Sequence, residues 1–414
     1  MSLDLDFVRR QFPVLHEHAS EWALLDNAGG SVLPRQVGAR ISSYLERSMV
    51  QLGASYPLSQ TATASLAAGH AAIELLLGAS PGEVVLGPST TLDARLLARA
   101  LRPGWKAGDV VIVSELDHAA NLGPWLALAE TGIEVKVWPL RPETASLELA
   151  DLEPLLDERT RLVCFTHCAN VVGRIHDVRA IADRVHAAGA EVCVDGVAFA
   201  PHRLVDVQAL GVDYYMVSLY KIFGPHVGAL WGRRALLERA KGQNHDFIGE
   251  HELPYKFEPG AANHELVAGL PGILDYLAAI ELHHVGGLAE DRRAGLARTF
   301  ALFAAHEARL AERLLGWLRE RSDVRIVGPS ESDSSLRVPT IAFVVAGRAS
   351  SSIPALLERD KLAIRWGHFY APRAMRALGL DEHEGVVRVS MVHYNTLAEV
   401  DRLIASLDRA LAPG

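Results

Sequence analysis

Apolar and polar positions along the chain follow two periodicities, which together predict parallel strands covered by helices. Short apolar runs typical of buried strands are VVLG from residue 84, VVIV from 110, VKVW from 135, LVCF from 162, VCV from 192 and YYMV from 214. Stretches with apolar residues every three or four positions separate them, such as LDARLLARAL and VRAIADRVHAAG. Because near-continuous apolar strands joined by amphipathic helices indicate a parallel sheet buried on both faces, we expect a large α/β domain.

The pattern changes near residue 286. An Ala-, Leu- and Arg-rich stretch over 287–318 has helical spacing, and it is followed by the strand-like runs VRIVG, TIAFVVAG, LAIRWG and VVRVSM and a final helix. We therefore expect an N-terminal arm over 1–20 that packs with the small domain, a large domain over 21–285 and a smaller α+β domain over 286–414.

Composition and charge narrow the classes of partner. With 41 Lys and Arg against 50 Asp and Glu, the net charge is −9, which argues against nucleic acid or an anionic membrane as a partner and favours a small molecule. The three cysteines form no CxxC pair and the His pairs lack partners at ligand spacing, so neither a disulfide framework nor a metal site is expected. The opening residues show no signal-peptide pattern, and we expect a cytoplasmic protein.

Polar residues follow several of the predicted strands directly. In open parallel sheets, ligands bind beyond the carboxyl ends of the strands, so these residues are the candidates for a functional site. They are Thr90, Thr91, His118, Asn170, Asp195, Ser218 and Lys221.

Lys221 and Asp195 carry the most specific chemistry. An apolar strand precedes Lys221 and Ile222 and Phe223 follow it, so burial should lower its pKa and prepare the amine to form a Schiff base with a carbonyl. A surface lysine whose stem lies along apolar neighbours is the alternative. Asp195 ends an apolar strand and needs a cationic partner, which is either the pyridinium nitrogen of a cofactor or an internal arginine.

Other positions also allow a ligand or a structural role. Hydroxyls of Ser89, Thr90 and Thr91 at a predicted helix start suit an anion such as phosphate, or serve as an N-cap. His118 either stacks on a flat cofactor or lies in the core as a hydrogen-bonded histidine. Arg388, within the apolar run VVRVSM, requires a carboxylate that is internal or belongs to a substrate.

Taken in order, these segments resemble the class V aminotransferases of the fold-type I pyridoxal 5'-phosphate (PLP) enzymes, and within them the cysteine desulfurase-like branch. The resemblance covers nearly the whole chain and rests on LLDNAGGSVLP, SELDHAANLGPW, THCANVVGRIHDV, the block from VCVDG to SLYKIFGP, RWGHFYAP and VVRVSMVHYNTLAEVDRL. It implies the α/β fold-type I architecture, with a mostly parallel, seven-stranded sheet in the large domain. No GxGxxG fingerprint or GxxxxGK[ST] loop occurs, so nicotinamide and nucleoside triphosphate chemistry have no supporting motif.

The resemblance also implies how PLP would be held. Lys221 would bind it as a Schiff base and move the α-proton of the substrate. Asp195 would keep the pyridine nitrogen protonated, His118 would stack on the ring, and Asn170 would reach the phenolic oxygen. The phosphate would be bound by Thr90, Thr91 and Ser218.

On the substrate side, the resemblance implies an amino acid whose α-carboxylate is bound by Arg388. Asn27, Arg365, His368 and Tyr370 would line the same space. Members of the family are dimers with sites near the interface, so a homodimer is expected.

Departures from the family pattern bear on the reaction. Tyr370 stands where desulfurases of this branch carry a persulfide-forming cysteine. Tyr220, Ala198 and Ala261 replace a histidine, a glutamine and a threonine of the family. Sulfur transfer through an enzyme persulfide is therefore not expected, whereas cofactor binding is, because Lys221 and Asp195 are present.

The remaining hypothesis is a lyase that eliminates a β-substituent, most readily by carbon–sulfur cleavage. Lys221 would be the base, and His368 or Tyr370 the acid for the leaving group. A class V aminotransferase and an amino-acid epimerase are the alternatives within the family. An inactive PLP-fold interaction protein is the alternative from another class.

Overall fold

A computed structural model describes residues 2–18 and 21–412 of the chain. Its strands are β1 Ala23–Leu24, β2 Val84–Gly87, β3 Val110–Ser114, β4 Glu134–Trp138, β5 Thr160–Thr166, β6 Glu191–Asp195, β7 Tyr214–Ser218, β8 Gly228–Gly232, β9 Val324–Val327, β10 Thr340–Val345, β11 Leu362–Ala363, β12 Arg365–Gly367 and β13 Val386–Ser390. Its α-helices are α1 Leu5–Arg10, α2 Arg35–Arg47, α3 Pro57–Leu77, α4 Thr90–Leu101, α5 Ala119–Leu126, α6 Leu149–Leu152, α7 Val178–Ala187, α8 Val207–Leu210, α9 Arg234–Arg239, α10 His264–Gly269, α11 Pro271–Val285, α12 Arg292–Arg319, α13 Ser352–Leu357, α14 Pro372–Ala377 and α15 Leu397–Leu411.

The larger sheet has seven strands in the order β2-β8-β7-β6-β5-β3-β4. Every pairing is parallel except those of β8, which runs antiparallel to both β2 and β7. The predicted α/β fold with a mostly parallel, seven-stranded sheet is thus confirmed. Strand β8 was not predicted, because glycines at both ends of GALWG weaken its apolar pattern.

A second sheet, in the order β12-β13-β10-β9, is antiparallel and packs with α12 and α15 around a second apolar core. Helix α12 joins the two cores, since Phe303 lies in the first and Leu314 in the second. Ala23 and Leu25 also pack in the second core, because β1 pairs with β11. The boundary that we draw between the two domains, at residues 285 and 286, stays a prediction.

The N-terminal arm reaches both parts of the molecule. Val8 and Phe12 are fully buried in the first core, and the Phe12 ring packs edge-on against Phe223. Arg9 donates to Glu399, at the start of α15, over 3.0 Å. The arm therefore packs with the first core as well as with the C-terminal helix.

The helical stretch His264–Val285 has the length and mean hydropathy, 1.3, of a membrane span, but 56% of that window is buried within the protein. Its glycines allow close packing against α2: a Cβ at Gly269 would lie 2.6 Å from Ile41, and one at Gly272 would lie 2.6 Å from Val37. We interpret the stretch as a core helix pair, whose apolar faces are covered by other helices.

Neighbouring carboxyl ends of the parallel strands bring the predicted site residues together. In the sheet register, Thr166 at the end of β5 pairs with Asp195 at the end of β6, and Asp195 pairs with Met216 of β7. Residues that follow these strands consequently share one edge of the sheet. The candidate site lies at this edge.

Candidate functional site

Lys221 ends a 3₁₀ turn, Leu219–Lys221, that directly follows β7. It is only 8% exposed. The pKa of its amine is lowered from 10.5 to about 8: burial is the largest cause, the charge of Arg388 contributes in the same direction, and Asp195 and Asp26 oppose the shift. A substantial fraction of the amine is therefore neutral near pH 8, the form that attacks carbonyls and accepts protons.

Asp195 is the last residue of β6 and is 5% exposed. One carboxyl oxygen accepts a hydrogen bond of 2.9 Å from the backbone N–H of Val197, and no described residue forms an ion pair with it. Burial raises the pKa of the carboxyl, whereas that hydrogen bond and the charge of Lys221 lower it. Such a carboxylate fits a cationic ring nitrogen, which would offset the cost of its burial.

A cradle of hydroxyls lies at the start of α4. Ser89 caps this 12-residue helix by accepting from the N–H of Leu92. The Thr90 hydroxyl donates to the carbonyl of Val217 over 3.1 Å and lies 2.6 Å from the hydroxyl of Ser218. The helix N-terminus and the hydroxyls together fit the phosphate of PLP.

His118 is the N-cap of α5, and its Nδ1 accepts a hydrogen bond of 3.0 Å from the N–H of Ala120. Burial, together with the charges of Lys221 and Arg388, lowers its pKa to about 4, so the ring is neutral at physiological pH. Its centroid lies 5.3 Å from that of Tyr370. A neutral half-buried ring in this position suits stacking on an aromatic cofactor.

The predicted cofactor residues line one cleft of about 540 Å³. They are Thr90, Thr91, His118, Asn170, Asp195, Ser218 and Lys221. Three groups thus face the same space. The amine of Lys221 suits the aldehyde of PLP, the carboxylate of Asp195 suits its pyridine nitrogen, and the N-terminus of α4 suits its phosphate. These residues fit PLP.

Arg388 lies behind this cleft rather than in its lining. It is 2% exposed; its Nη2 donates to Asp26 over 2.8 Å and its Nη1 to the carbonyl of Asn170 over 3.1 Å. The guanidinium carbon lies 3.7 Å from the ring centroid of Phe369. Its Nε is buried and has no hydrogen-bond partner among the described residues.

The other residues predicted on the substrate side differ in whether their side chains are exposed or already hydrogen-bonded within the protein. Arg365 is 60% exposed and lies 3.5 Å from Asp26. The amide of Asn27, in contrast, donates to the carbonyls of Leu24 and Ser390, while its oxygen accepts from the Tyr394 hydroxyl. Asn27 therefore fixes the loop after β1, and the structure does not present it to a substrate.

The loop that carries His368 and Tyr370 is held against the cofactor cleft by its backbone. The N–H of Ala119 donates to the Tyr370 carbonyl over 2.7 Å, and the Asn170 amide donates to the Phe369 carbonyl over 2.9 Å. Phe369 and Tyr370 have φ values of +48° and +58°, which places both in the left-handed region. Tyr370 points its ring outward and is 65% exposed.

All three cysteines are fully buried. Cys164 and Cys193 pair across β5 and β6, within the core of the larger sheet. Cys168 borders the cofactor cleft, and burial raises the pKa of its thiol to about 12. A thiol with this pKa is a poor nucleophile, because the reactive species is the thiolate.

Three further residues shape the site, although the sequence analysis assigned no site role to them and noted Tyr220 only as a departure from the family pattern. Asp26 binds both arginines, and Tyr220 stacks on His226 with ring centroids 4.7 Å apart at the edge of the cleft. Asp117 bonds to Ser114 and accepts from Asn121, which fixes the first turn of α5 beneath His118; burial raises its pKa to about 8. Asp117 directly precedes His118, Tyr220 directly precedes Lys221, and Asp26 lies in the segment LLDNAGGSVLP, so each stands beside a residue that the sequence did point to.

Comparisons with known proteins agree with this geometry. The sequence model described as Aminotransferase class-V matches residues 23–403. The chain is 38% identical to the aminotransferase-like protein FGM3 of Gibberella zeae, over 99% of each chain. It is 34% identical to the cysteine desulfurase-like protein ustD of Aspergillus flavus, over 98% of this chain and 90% of that one. The apo structure of a cysteine desulfurase from Thermococcus onnurineus superposes with a TM-score of 0.87 at 26% identity, covering 99% and 98% of the two chains.

Proposed function

The chain belongs to the class V aminotransferase family of PLP-dependent enzymes, and from this premise we propose that it is a lyase that removes a β-substituent from an α-amino acid. Carbon–sulfur cleavage is the reaction we favour. PLP, when bound, supplies an electron sink that acidifies the Cα–H bond of the amino acid.

Lys221 supplies the base in this proposal. Its amine, which has a pKa of about 8 in the protein without cofactor, would accept the proton from Cα of the amino acid. Asp195 holds a proton on the ring nitrogen of the cofactor, and neutral His118 covers the ring without adding charge. The Cβ–S electron pair leaves with sulfur, which takes a proton from an acid, and hydrolysis of the remaining fragment gives pyruvate and ammonium.

One observation supports elimination without an enzyme persulfide: the loop over the site presents a phenol and an imidazole instead of a thiol. Tyr370 and His368 are both exposed on it, and the N–H of Tyr370 donates to Nδ1 of His368 over 3.1 Å. The cysteines of the described residues are buried in or beside the larger sheet. A leaving thiolate would therefore meet a proton donor on this loop. In an enzyme that forms a persulfide, a cysteine thiol would stand there and accept the sulfur.

The test begins with the visible spectrum of the purified protein. We expect absorbance of bound PLP that is lost in Lys221→Ala and kept in Lys241→Ala, a change at an exposed lysine away from the cleft. Cysteine, cystine and alanine are then added, with pyruvate and sulfide assayed together. Pyruvate formation with unchanged absorbance supports the lyase.

Other outcomes would replace this proposal. Conversion of the cofactor to its pyridoxamine form, reversed by a keto acid, would identify an aminotransferase. Loss of optical activity without pyruvate would identify an epimerase. A protein that stays colourless with added PLP would indicate an interaction role.

We also propose a cytoplasmic homodimer. Four large apolar residues are exposed between α2 and the first turn of α3, namely Leu45, Met49, Tyr56 and Leu58, at 45%, 64%, 46% and 52%. A patch of this kind suits an interface with a second copy. Light scattering after size exclusion should give twice the chain mass of 44.9 kDa, and Met49→Lys should shift the protein towards the monomer.

A further inference from the structure

A second open space lies on the small-domain side of the site, between β12, the loop 368–371 and the turn 381–385. We call it the aromatic groove and define it by Arg365, Trp366, Tyr370, Met375, Asp381 and Glu384.

The groove presents aromatic rings to solvent. Trp366 is 43% exposed and Tyr370 is 65% exposed. Their backbones are fixed, since Trp366 pairs with Val387 in the sheet and the Tyr370 carbonyl accepts from Ala119. Large rings held outward by a rigid backbone form a preorganised binding surface.

The aromatic groove adjoins the cofactor cleft, because the ring of Tyr370, which lines the groove, lies 5.3 Å from that of His118, which lines the cleft. A third space, which we call the vestibule, shares lining residues with both. This vestibule is bounded by Asp26, Ser31, Tyr220, His226 and Arg365. Tyr220 lines both the cofactor cleft and the vestibule, and Arg365 lines both the vestibule and the aromatic groove. We take this row of shared residues as the route by which the side chain of a substrate, with its amine at Lys221, would extend into the groove.

Charged side chains of opposite sign lie at the two ends of this path. The near end carries Arg365 and Arg388, which share Asp26. The far end carries two carboxylates: Asp381 lies 3.9 Å from Arg376, and the side chain of Glu384 forms no ion pair or hydrogen bond with a described residue. An elongated ligand with an anion at one end and a cation at the other matches this arrangement.

We propose that the aromatic groove binds the distal end of the substrate side chain and selects amino acids whose side chain ends in an alkylammonium or a similar cation. The Trp366 and Tyr370 faces attract the cation through their π-systems, and Glu384 supplies the opposite charge. The α-carboxylate stays with the arginines. This inference deepens the proposed function and rests on it only for the position of the α-amino group.

Binding without turnover tests the groove independently. Calorimetric titration of the holoenzyme compares L-lysine, L-norleucine and L-2-aminoadipate, which have similar side-chain lengths and no leaving group on Cβ. We expect lysine to bind about tenfold more tightly than norleucine, and aminoadipate more weakly than both. Equal affinities, or a preference for aminoadipate, would overturn the proposal.

Two substitutions in the same turn test whether the lysine preference comes from the groove or from the negative charge of the surface in general. Glu384→Gln should weaken lysine binding about three- to fivefold and so remove most of the lysine preference, while norleucine binding is unchanged. Glu382→Gln is the matched control, because Glu382 is exposed in the same turn but does not line the groove. Equal effects of the two changes would contradict a specific site.

Turnover distinguishes this inference from the proposed lyase. S-(2-aminoethyl)-L-cysteine and S-propyl-L-cysteine differ in the terminal cation, and elimination from either releases pyruvate. If neither releases pyruvate but lysine is preferred, the groove proposal holds and the lyase proposal fails. If both are eliminated with equal kcat/KM and lysine is not preferred, the lyase proposal holds and the groove proposal fails.

Discussion

Asp26 and Arg388 form an ion pair of 2.8 Å between Oδ1 and Nη2, behind the cofactor cleft, although they lie 362 positions apart in the sequence. Arg388 is 2% exposed and depends on this carboxylate for most of its charge compensation, because its other polar contact is a backbone carbonyl. Any substrate carboxylate that approaches Arg388 must share the guanidinium with Asp26. The pair therefore affects both stability and substrate affinity.

Asp26→Asn tests this relationship. Removal of one charge of a buried pair leaves the other uncompensated, so we expect the free energy of unfolding to fall by about 2–3 kcal/mol. Affinity for α-amino acids should rise, because Arg388 and Arg365 lose an internal competitor. Urea unfolding and calorimetric titration measure the two effects, with Asp246→Asn, at an exposed position, as the control. Unchanged stability would show that the pair contributes little.

The lowered pKa of Lys221 predicts how cofactor uptake depends on pH. The amine must be neutral to attack the aldehyde, so uptake of PLP by the apoprotein should speed up as pH rises through about 8, not 10.5. Stopped-flow absorbance from pH 6 to 10 measures the midpoint. A rate that still rises steeply at pH 10 would place the amine in a more solvated setting.

The same shift predicts a change in stability. Between pH 8 and 10.5 the unfolded chain binds a proton on this lysine that the folded apoprotein does not, so the stability of the apoprotein rises with pH in that window. Lys221→Met should remove this rise and stabilise the apoprotein at pH 7. Urea unfolding at pH 7 and pH 10 compares the two proteins.

Asp93 should make the protein less stable at alkaline pH. It is fully buried in α4, and neither of its carboxyl oxygens has a partner among the described residues. Burial raises its pKa well above 3.8, and Glu258 adds to the shift. Because the unfolded carboxyl ionises near 3.8 and the folded one does not, stability falls as pH rises above that value.

Asp93→Asn removes the titration and keeps the shape of the side chain. We expect the variant to be more stable than the parent protein at pH 8, with a smaller difference at pH 5. Thermal unfolding at both pH values measures this, and Asp246→Asn again serves as the control. A variant that is less stable than the parent at both values would contradict a neutral, unpaired Asp93.

Tyr370→Phe examines the acid assigned to the leaving group. A general acid typically contributes 10²-fold or more, so the change should slow elimination of a poorly stabilised thiolate, as from S-methylcysteine, by about 100-fold. Elimination from cystine should slow much less, because a persulfide leaves readily without protonation. Equal losses with both substrates would assign a positioning role to Tyr370, and His368→Gln then tests the neighbouring acid.

Local sequence was sufficient to predict that the candidate site residues lie together, because each follows an apolar strand. A parallel sheet places the residues after β3, β5, β6 and β7 on one edge, whatever the details of packing. His118, Asn170, Asp195 and Lys221 line one cleft for this reason. Their roles towards PLP stay predictions until the variants are made.

The substrate side could not be predicted in the same way. Asn27 looked available because it lies in a polar turn, but folding brings Tyr394 and Asn395 to its amide, and these contacts span more than 360 positions. The exposure of Trp366 likewise follows from how β12 meets the turn 381–385. Aromatic residues in a loop have the same sequence signature whether they pack inward or line a groove.

The sequence by itself determined the larger sheet, the family and the shared edge at which the predicted cofactor residues lie, since strand periodicity and short motifs are local properties. Only the tertiary structure decided that Asp26 binds Arg388, that Asn27 is enclosed and that an acidic aromatic groove opens beside the site. These features depend on contacts between the two cores, and the relative placement of distant segments is fixed by the packing of the whole chain.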